Sequence, residues 1–344
     1  MDDYQALKFI PSEYENFWVN CDACGKCFKP DLLKPRGDSM GAIQINESYF
    51  WQRQTAYDDC SNCGAKCEVE IPSEKLKGEI FMYGDEAIRK LPKYGGELFT
   101  YSLVGSSEPQ RTLISNEIRS LKQSLTPNMA PEGWSIHMKT IWNGEKRTNS
   151  EEYSMWNYKT VFDLLDGIGE IIKRHEQYLY MINIVLAGKP LEKISTKKFT
   201  DYLQHESYII MVMTAIKTIT DIGCKPTIHL DSVKPAKADI IIHEWAKEAF
   251  SHGASNLLYA LMSKGIPVPE PIFVKPASHP FLELADILSF SVARHHFMMC
   301  KKKKPEIDLS IFGRVQYMTM SNGGDRVEVK ASTGYPWKLG YKNA

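Results

Sequence analysis

No stretch of this 344-residue sequence approaches the ~18–20 consecutive apolar residues that a membrane-spanning helix needs. The opening Met-Asp-Asp-Tyr-Gln-Ala-Leu-Lys-Phe-Ile has neither the basic flank nor the apolar stretch of a signal peptide. A soluble, cytoplasmic protein with no membrane partner is expected. A surplus of one charge is missing too: 42 Lys and Arg balance 42 Asp and Glu. That excludes a uniformly basic nucleic-acid coat and an acidic tail protein, and leaves charge to act through local patches. Internal repeats and low-complexity tracts are absent. No GxxxxGKS/T or HExxH sequence occurs, and Gly167-Ile-Gly169 falls in a predicted helix without a third glycine, which disfavours P-loop NTPases, zinc proteases and Rossmann dehydrogenases. Gly37-Asp-Ser39-Met-Gly41 matches GxSxG in letters only. It follows Lys-Pro-Arg and precedes a strand-like run, whereas a nucleophile elbow needs a strand before and a helix after.

What remains is an ordinary globular composition, 43% hydrophobic and 24% charged, long enough for about two domains. Six of the eight cysteines lie within the first 67 residues. Cys21-Asp-Ala-Cys24-Gly and Cys60-Ser-Asn-Cys63-Gly are two CxxCG knuckles. Each turn sets two thiolates about one ion apart, and the glycine lets backbone N–H groups face sulfur. Two knuckles supply the closed tetrahedral set of a structural zinc site. Cys21, Cys24, Cys60 and Cys63 are therefore the expected ligands, and Cys27 and Cys67 are either buried thiols or substitutes for a knuckle member. Such a site stabilises a fold, by about 10–16 kcal/mol in small fingers, rather than performing catalysis. Between the knuckles, residues 41–52 alternate in part like a strand, as in a ribbon with a hairpin insert.

From about residue 78 the pattern changes. Strands are predicted at 80–83, 97–105, 134–142, 178–186, 225–231 and 272–276. Helices are predicted from Pro109, with Leu113, Ile114, Ile118 and Leu121 on one face; over 156–174, with Phe162, Leu165, Ile168 and Ile172; and over 206–222, 242–264 and 280–300. Alternating strands and helices argue an α/β fold with one mixed central sheet. Residues 301–344 carry nine Lys or Arg against four Asp or Glu and open with Lys301 to Lys304.

Three aspartates fall where apolar residues are expected. Asp85 is read as ending the first strand of the large domain, Asp231 as ending a later one, and Asp286 lies in the otherwise apolar Phe281–Phe290 helix. A lone buried carboxylate is costly and usually has a cation partner. Strand-end carboxylates face the crevice where α/β sheets bind ligands, and converging acids make a hard oxygen site suited to Mg²⁺ or Mn²⁺. Two such ions about 4 Å apart serve phosphodiester cleavage, with one carboxylate, here Asp85, as the bridge. The plain alternative is structural: Asp286 pairing with Arg294 or Lys275, Asp231 capping a turn, Asp85 opening one.

The order Tyr83-Gly-Asp85-Glu86, Ile136-His137, Asp231, then Leu282-Glu283-Leu284-Ala285-Asp286 resembles the family called "domain of unknown function 3800" over about residues 79–300. Family members usually read Tyr-x-Asp-Glu-Ser-Gly and Leu-Gln-Leu-Ala-Asp; here Ala87-Ile88 replaces Ser-Gly and Glu283 replaces Gln. The resemblance implies a ribonuclease-H-like sheet and a divalent-metal nuclease site. It also suggests a setting in prokaryotic antiviral or mobile-element loci.

The expected architecture is a zinc-ribbon-like β module over 1–77, a ribonuclease-H-like mixed sheet flanked by helices over 78–300, and a basic C-terminal extension over 301–344. Asp85, Asp231 and Asp286 are the expected Mg²⁺ or Mn²⁺ ligands. Glu86 and Glu283 are alternates, His137 is a ligand or proton carrier, and Lys234 and Lys237 could hold a scissile phosphate. The leading function is a metal-dependent nuclease acting on RNA or DNA, with the zinc module and the Lys301–Lys304 run adding nucleic-acid contacts. The rivals are a catalytically inactive nucleic-acid- or protein-binding adaptor and a nucleotide phosphoesterase. A protein partner or an oligomer is compatible with each.

Overall fold

The computed structural model describes residues 14, 16–32, 34, 42–45, 48–51, 55–71, 76–91, 96–188, 196–231, 250, 257–266, 268–275, 278–312, 317–322 and 327–331. The described residues up to 71 include three two-stranded antiparallel ribbons. β1 (Val19–Asn20) pairs with β2 (Cys27–Phe28), β3 (Ala42–Ile45) with β4 (Ser48–Trp51), and β5 (Thr55–Asp59) with β6 (Lys66–Glu70). The β3–β4 ribbon is the hairpin insert expected between the knuckles. Gly37–Gly41 lies outside the described residues.

A mixed sheet follows, built on β7 (Gly78–Leu91), β8 (Gly96–Ser106), β9 (Tyr180–Gly188), β10 (Cys224–Asp231) and β11 (Ile272–Val274). β8 runs antiparallel to β7 and β9, while β10 lies parallel beside β7 and β11 parallel beside β10. Two more strands, β12 (Tyr317–Asn322) and β13 (Val327–Ala331), extend the free edge of β9, so the spatial order is β11-β10-β7-β8-β9-β12-β13. The sheet thus continues past residue 300, the expected end of the large domain, and the basic segment supplies two of its strands. Every residue of β8 is buried, as suits a strand covered on both faces.

Helices cover both faces. α1 (Glu108–Leu125), α2 (Met138–Trp142), α3 (Gly144–Thr148) and α4 (Tyr158–Arg174) are inserted between β8 and β9. α5 (Thr196–Asp221) precedes β10, α6 (Leu257–Ser263) precedes β11, and α7 (Pro280–Cys300) follows it. α5 packs on β8, β9 and β10, and α7 crosses β7 and β8. Met82, Tyr101, Leu103, Ile184 and Ile228 join α5 in one core, and Tyr83, Leu98 and Val104 join α1, α4 and α7 in the other. Each fully buried aliphatic side chain in these cores contributes roughly 1.5–3 kcal/mol. The β1–β2 and β5–β6 ribbons are not a separate body: Val19, Phe28, Leu32, Val69 and Ile71 share the α5-side core, and the Leu258 N–H donates to Leu32 O at 2.9 Å.

Three expectations are corrected. Residues 134–142 are not a strand: 134–137 are an extended segment without a ladder, and 138–142 form α2. Tyr153 donates from its hydroxyl to Ser135 O, and Glu283 accepts the Ile136 N–H at 3.1 Å, so the local apolar alternation serves tertiary anchoring instead of a ladder. Asp85 does not end its strand, because β7 runs on to Leu91. Leu113 and Phe162 are 53% and 41% exposed. The buried stripes centre on Ile114 and Ile118 in α1 and on Val161, Leu164, Leu165 and Ile168 in α4, which turns those two residues to the margin. The predicted helix over 242–264 is described only at 250 and from 257 onward, where α6 ends at Ser263 just before Gly265.

Candidate metal centres

Each CxxCG sequence folds into the same turn. Gly25 and Gly64 adopt φ of +69° and +74°, the left-handed region that glycine enters without steric cost. Their N–H groups donate back to Cys21 O at 2.7 Å and Cys60 O at 2.8 Å. The Cys21 and Cys60 N–H groups reach Lys26 O and Ala65 O at 3.0 and 2.8 Å. Two matched loops therefore face each other, with Cys21 Sγ 3.6 Å from Cys63 Sγ and Cys24 Sγ 3.8 Å from Cys60 Sγ. Four thiolates about 2.3 Å from a tetrahedral ion would stand about 3.8 Å apart, so this spacing fits a metal such as zinc. Among the described residues these four are the one group of three or more His, Cys, Asp or Glu side chains whose ligand atoms all lie within 4.8 Å of one another.

The thiols also divide their protons unevenly. Burial works to raise Cys21, but the Cys24 N–H and the thiols of Cys67, Cys63 and Cys24 bring it down to about 6. The Ala65 N–H works to lower Cys63, yet neighbouring Cys21 and Cys24 push it up to about 12. A group of thiols that ionises piecemeal in this way needs a cation to hold all its negative charge. Cys27 and Cys67 stand outside the group. Cys27 donates to Asn20 Oδ1 at 2.8 Å, and Cys67 to Ala65 O at 3.4 Å.

The acidic residues meet on the α7 face of the sheet. β7 and β10 run parallel in register up to Gly84 and Leu230, and the next residue on each strand is Asp85 and Asp231. Side chains alternate along a strand. Asp85 therefore shares the face of Tyr83, and Asp231 that of His229, whose ring stacks on Tyr83 at 4.9 Å. Gly84 makes this close pairing possible, since a Cβ there would lie 2.8 Å from side-chain atoms of both Leu103 and Leu230. α7 lays Asp286 over the same face. Burial, and then the charges of Asp286, Glu86 and Asp231, push the Asp85 carboxyl well above the ordinary carboxylate range. Mutual repulsion of this kind is relieved by a bound cation. The three aspartates nevertheless stand wider apart than the cysteines, since they do not meet the 4.8 Å spacing.

His137 joins the cluster, with Nδ1 3.1 Å from Asp286 Oδ2. That bond raises its pKa, with burial opposing. Neither structural partner foreseen for Asp286 takes it: Arg294 pairs with Glu306 at 2.7 Å and Lys275 is exposed. Glu86 faces the other way, opposite Tyr101 in the register. Its Oε2 is buried without a hydrogen-bond partner among the described residues, and burial, then Asp231, lifts its pKa to about 8. Glu283 is taken by a buried ion pair with Lys122 at 2.7 Å. Lys234 and Lys237 lie outside the described residues, and Lys301 to Lys304 are exposed.

Two features went unread in the sequence. Ser102, opposite both Asp85 and Asn183 in the registers, donates to Asn183 Oδ1 at 2.6 Å. A polar row thus crosses the sheet from the carboxylates. The signal was an asparagine inside the apolar Tyr180–Leu186 run. Tyr83 is also sandwiched between His229 and His279, the latter at 4.4 Å, and Arg111 donates to its hydroxyl. Burial, then Arg111, lowers His279 to about 4.

Comparison with family models and with curated proteins finds no match to this sequence. No helix among the described residues is long and apolar enough to cross a membrane.

Proposed function

We propose that the protein is a divalent-metal-dependent nuclease of ribonuclease-H-like fold, resembling the "domain of unknown function 3800" family, with a structural zinc in its N-terminal ribbons. One observation carries the reading: Asp85 and Asp231 occupy equivalent positions on neighbouring parallel strands, on the face where α7 places Asp286. The strand arrangement supports it, with three antiparallel strands followed by two parallel strands added beside the first. The donor set is all oxygen and fits Mg²⁺ or Mn²⁺. Such an ion, when bound, supplies the positive charge that stabilises attacking and leaving oxygens of a phosphodiester.

The chain's own residues have separable tasks. Asp85, which feels the charges of both Asp231 and Asp286, would be the carboxylate closest to the centre of the ion site. Asp231 and Asp286 flank it. His137, 58% exposed and hydrogen-bonded to Asp286, is placed to take or give a proton near neutral pH. Glu86, on the opposite face, has no direct role in this arrangement.

The inactive adaptor is the second reading, favoured by the wider spacing of the carboxylates and by Ala87-Ile88 after Asp85-Glu86. Incubation with single- and double-stranded RNA and DNA in Mg²⁺, in Mn²⁺ or without divalent ions separates the two. Metal-dependent cleavage supports the nuclease. Binding without cleavage under every condition supports the adaptor.

A further inference from the structure

Beside the carboxylates lies a cleft of about 490 Å³ lined by Arg89, Lys139, Trp142, Lys146, Tyr158 and Arg294, with Phe290 and Phe297 behind them. Its volume is in the range of a small-molecule site. Its walls belong to the elements that hold the carboxylates. Arg89 follows Asp85 by four residues on the same face of β7. Phe290 and Arg294 follow Asp286 by one and two turns of α7, about 6 and 12 Å along the helix. Lys139 and Trp142 lie on α2, just after His137.

The lining combines cations with aromatic rings and contains no acid. Arg294 is partly neutralised by Glu306, but Arg89, Lys139 and Lys146 make no ion pair among the described residues. The Arg89 guanidinium sits 4.6 Å over the Phe290 ring, and burial, then Arg294, pulls its pKa below the ordinary value. This is a concentration of positive charge that an anion would relieve. Tyr158 is 56% exposed with the Arg147 guanidinium 4.6 Å over its ring, and the half-buried Trp142 ring meets Phe162 edge-on at 5.8 Å with the Arg294 guanidinium 5.9 Å from its centroid, so a planar ligand would stack on the opposite face of either ring. Cations that hold phosphates beside rings that stack bases are what an unpaired nucleotide requires. A duplex keeps its bases stacked inside.

We infer that this cleft binds an unpaired nucleotide of single-stranded RNA or DNA and thereby presents the adjoining phosphodiester to Asp85, Asp231 and Asp286. The inference rests on the nuclease reading for its purpose, but binding itself needs no cleavage.

The test is fluorescence anisotropy with short labelled single strands of RNA and of DNA, and with the matching duplexes. It uses the full chain in buffer free of added divalent ions and of chelator, over a range of salt. Tighter binding to single strands than to duplex is expected. Trp142→Ala should weaken single-strand binding about tenfold with an unchanged salt slope. Lys139→Ala with Lys146→Ala should weaken it comparably and reduce the slope by about 1.4. Trp142→Phe keeps a ring against Phe162 and Phe290 and should bind nearly as the wild type, which separates stacking from misfolding. Absent wild-type binding, equal affinity for duplex, or wild-type affinity in the Trp142→Ala and double-lysine variants would overturn the inference. Cleavage that depends on Asp85, together with normal binding by the cleft variants, would remove the cleft and keep the nuclease. Impaired binding by the variants, with no metal-dependent cleavage by the wild type, would keep the cleft and remove the nuclease.

Discussion

Asp286 Oδ2 serves two neighbours at once: it lies 3.1 Å from His137 Nδ1 and accepts the Met138 N–H at 3.2 Å. One carboxylate therefore caps α2 and holds the histidine that faces the acidic cluster. The structural and chemical roles of this residue separate by substitution. Asp286→Asn retains an oxygen for the Met138 N–H and should unfold in urea near the wild-type midpoint. Asp286→Ala should lose about 1 kcal/mol, as for a removed cap. Both should lose metal-dependent cleavage by about a thousandfold or more if the carboxylate holds the ion.

The Lys122–Glu283 pair is almost fully buried, at 5% and 4% side-chain exposure. Lys122 also donates to Trp134 O at 2.6 Å, and Glu283 also accepts from the Ile136 N–H. Lys122→Met strands a buried carboxylate and should cost about 3–5 kcal/mol. Adding Glu283→Gln should return a large part of that. Chemical denaturation of both variants measures the difference, and a double variant no more stable than the single one would contradict the pairing account.

One contribution to stability, that of His279, should be lost on mild acidification, against the gain from the raised carboxyls of Asp85 and Glu86. His279 Nδ1 accepts the Phe281 N–H at 3.1 Å at the start of α7, which requires that nitrogen to be unprotonated. Its folded pKa is about 4, against about 6.5 in an unfolded chain. A depressed folded pKa gives stability that is complete above about pH 6.5 and is lost as pH falls toward about 4, because the unfolded chain binds the proton first. Because the ring is partly exposed and water screens part of the effect, the loss should be about 1–2 kcal/mol. His296, also lowered to about 4 by burial and then by His295, adds in the same window. His279→Ser keeps an N-cap without the titration, so its unfolding free energy should lose less than the wild type's as pH falls across this range.

Freshly purified protein should contain about one zinc per chain, because a structural site stays nearly full. Cys60→Ser should release it, and Cys27→Ser should not. The cysteine loops share a core with α5, so removing the metal should raise amide exchange in the ribbons first and in α5 and α6 next, leaving α1 and α4 protected. Uniform loss of protection, or no bound metal, would contradict this arrangement.

The parts legible in the sequence were those with local causes. The two CxxCG knuckles contain their own turn chemistry and came together as a set of four. The apolar run before Gly188 became a central strand, and Pro280 opened a helix that places Asp286 over the sheet. Where long-range contacts decide, the local pattern failed. The alternation in Trp134–Trp142 resembles a strand, but Tyr153, Glu283 and Asp286 draw its backbone bonds elsewhere. Asp85 reads as a strand end because acids are poor strand formers, yet pairing with β8 carries β7 six residues further. Glu86 and Asp85 are adjacent in sequence, and strand alternation sends them to opposite faces. Strands β12 and β13 were hidden behind the lysine run, since only the free edge of β9 gives them a place to pair.

The central claim is that Asp85 helps hold a catalytic ion. The most direct measurement is the cleavage rate of single-stranded RNA and DNA by wild type and Asp85→Asn at increasing Mn²⁺, with urea unfolding of both proteins alongside. Asn preserves shape and removes a charge that burial and three neighbouring acids already disfavour, so the variant should be at least as stable as the wild type. Its metal-dependent rate should fall by about a thousandfold or more. An equally stable variant that cleaves at the wild-type rate, or a wild type that cleaves neither nucleic acid at any Mn²⁺ concentration, would contradict the account.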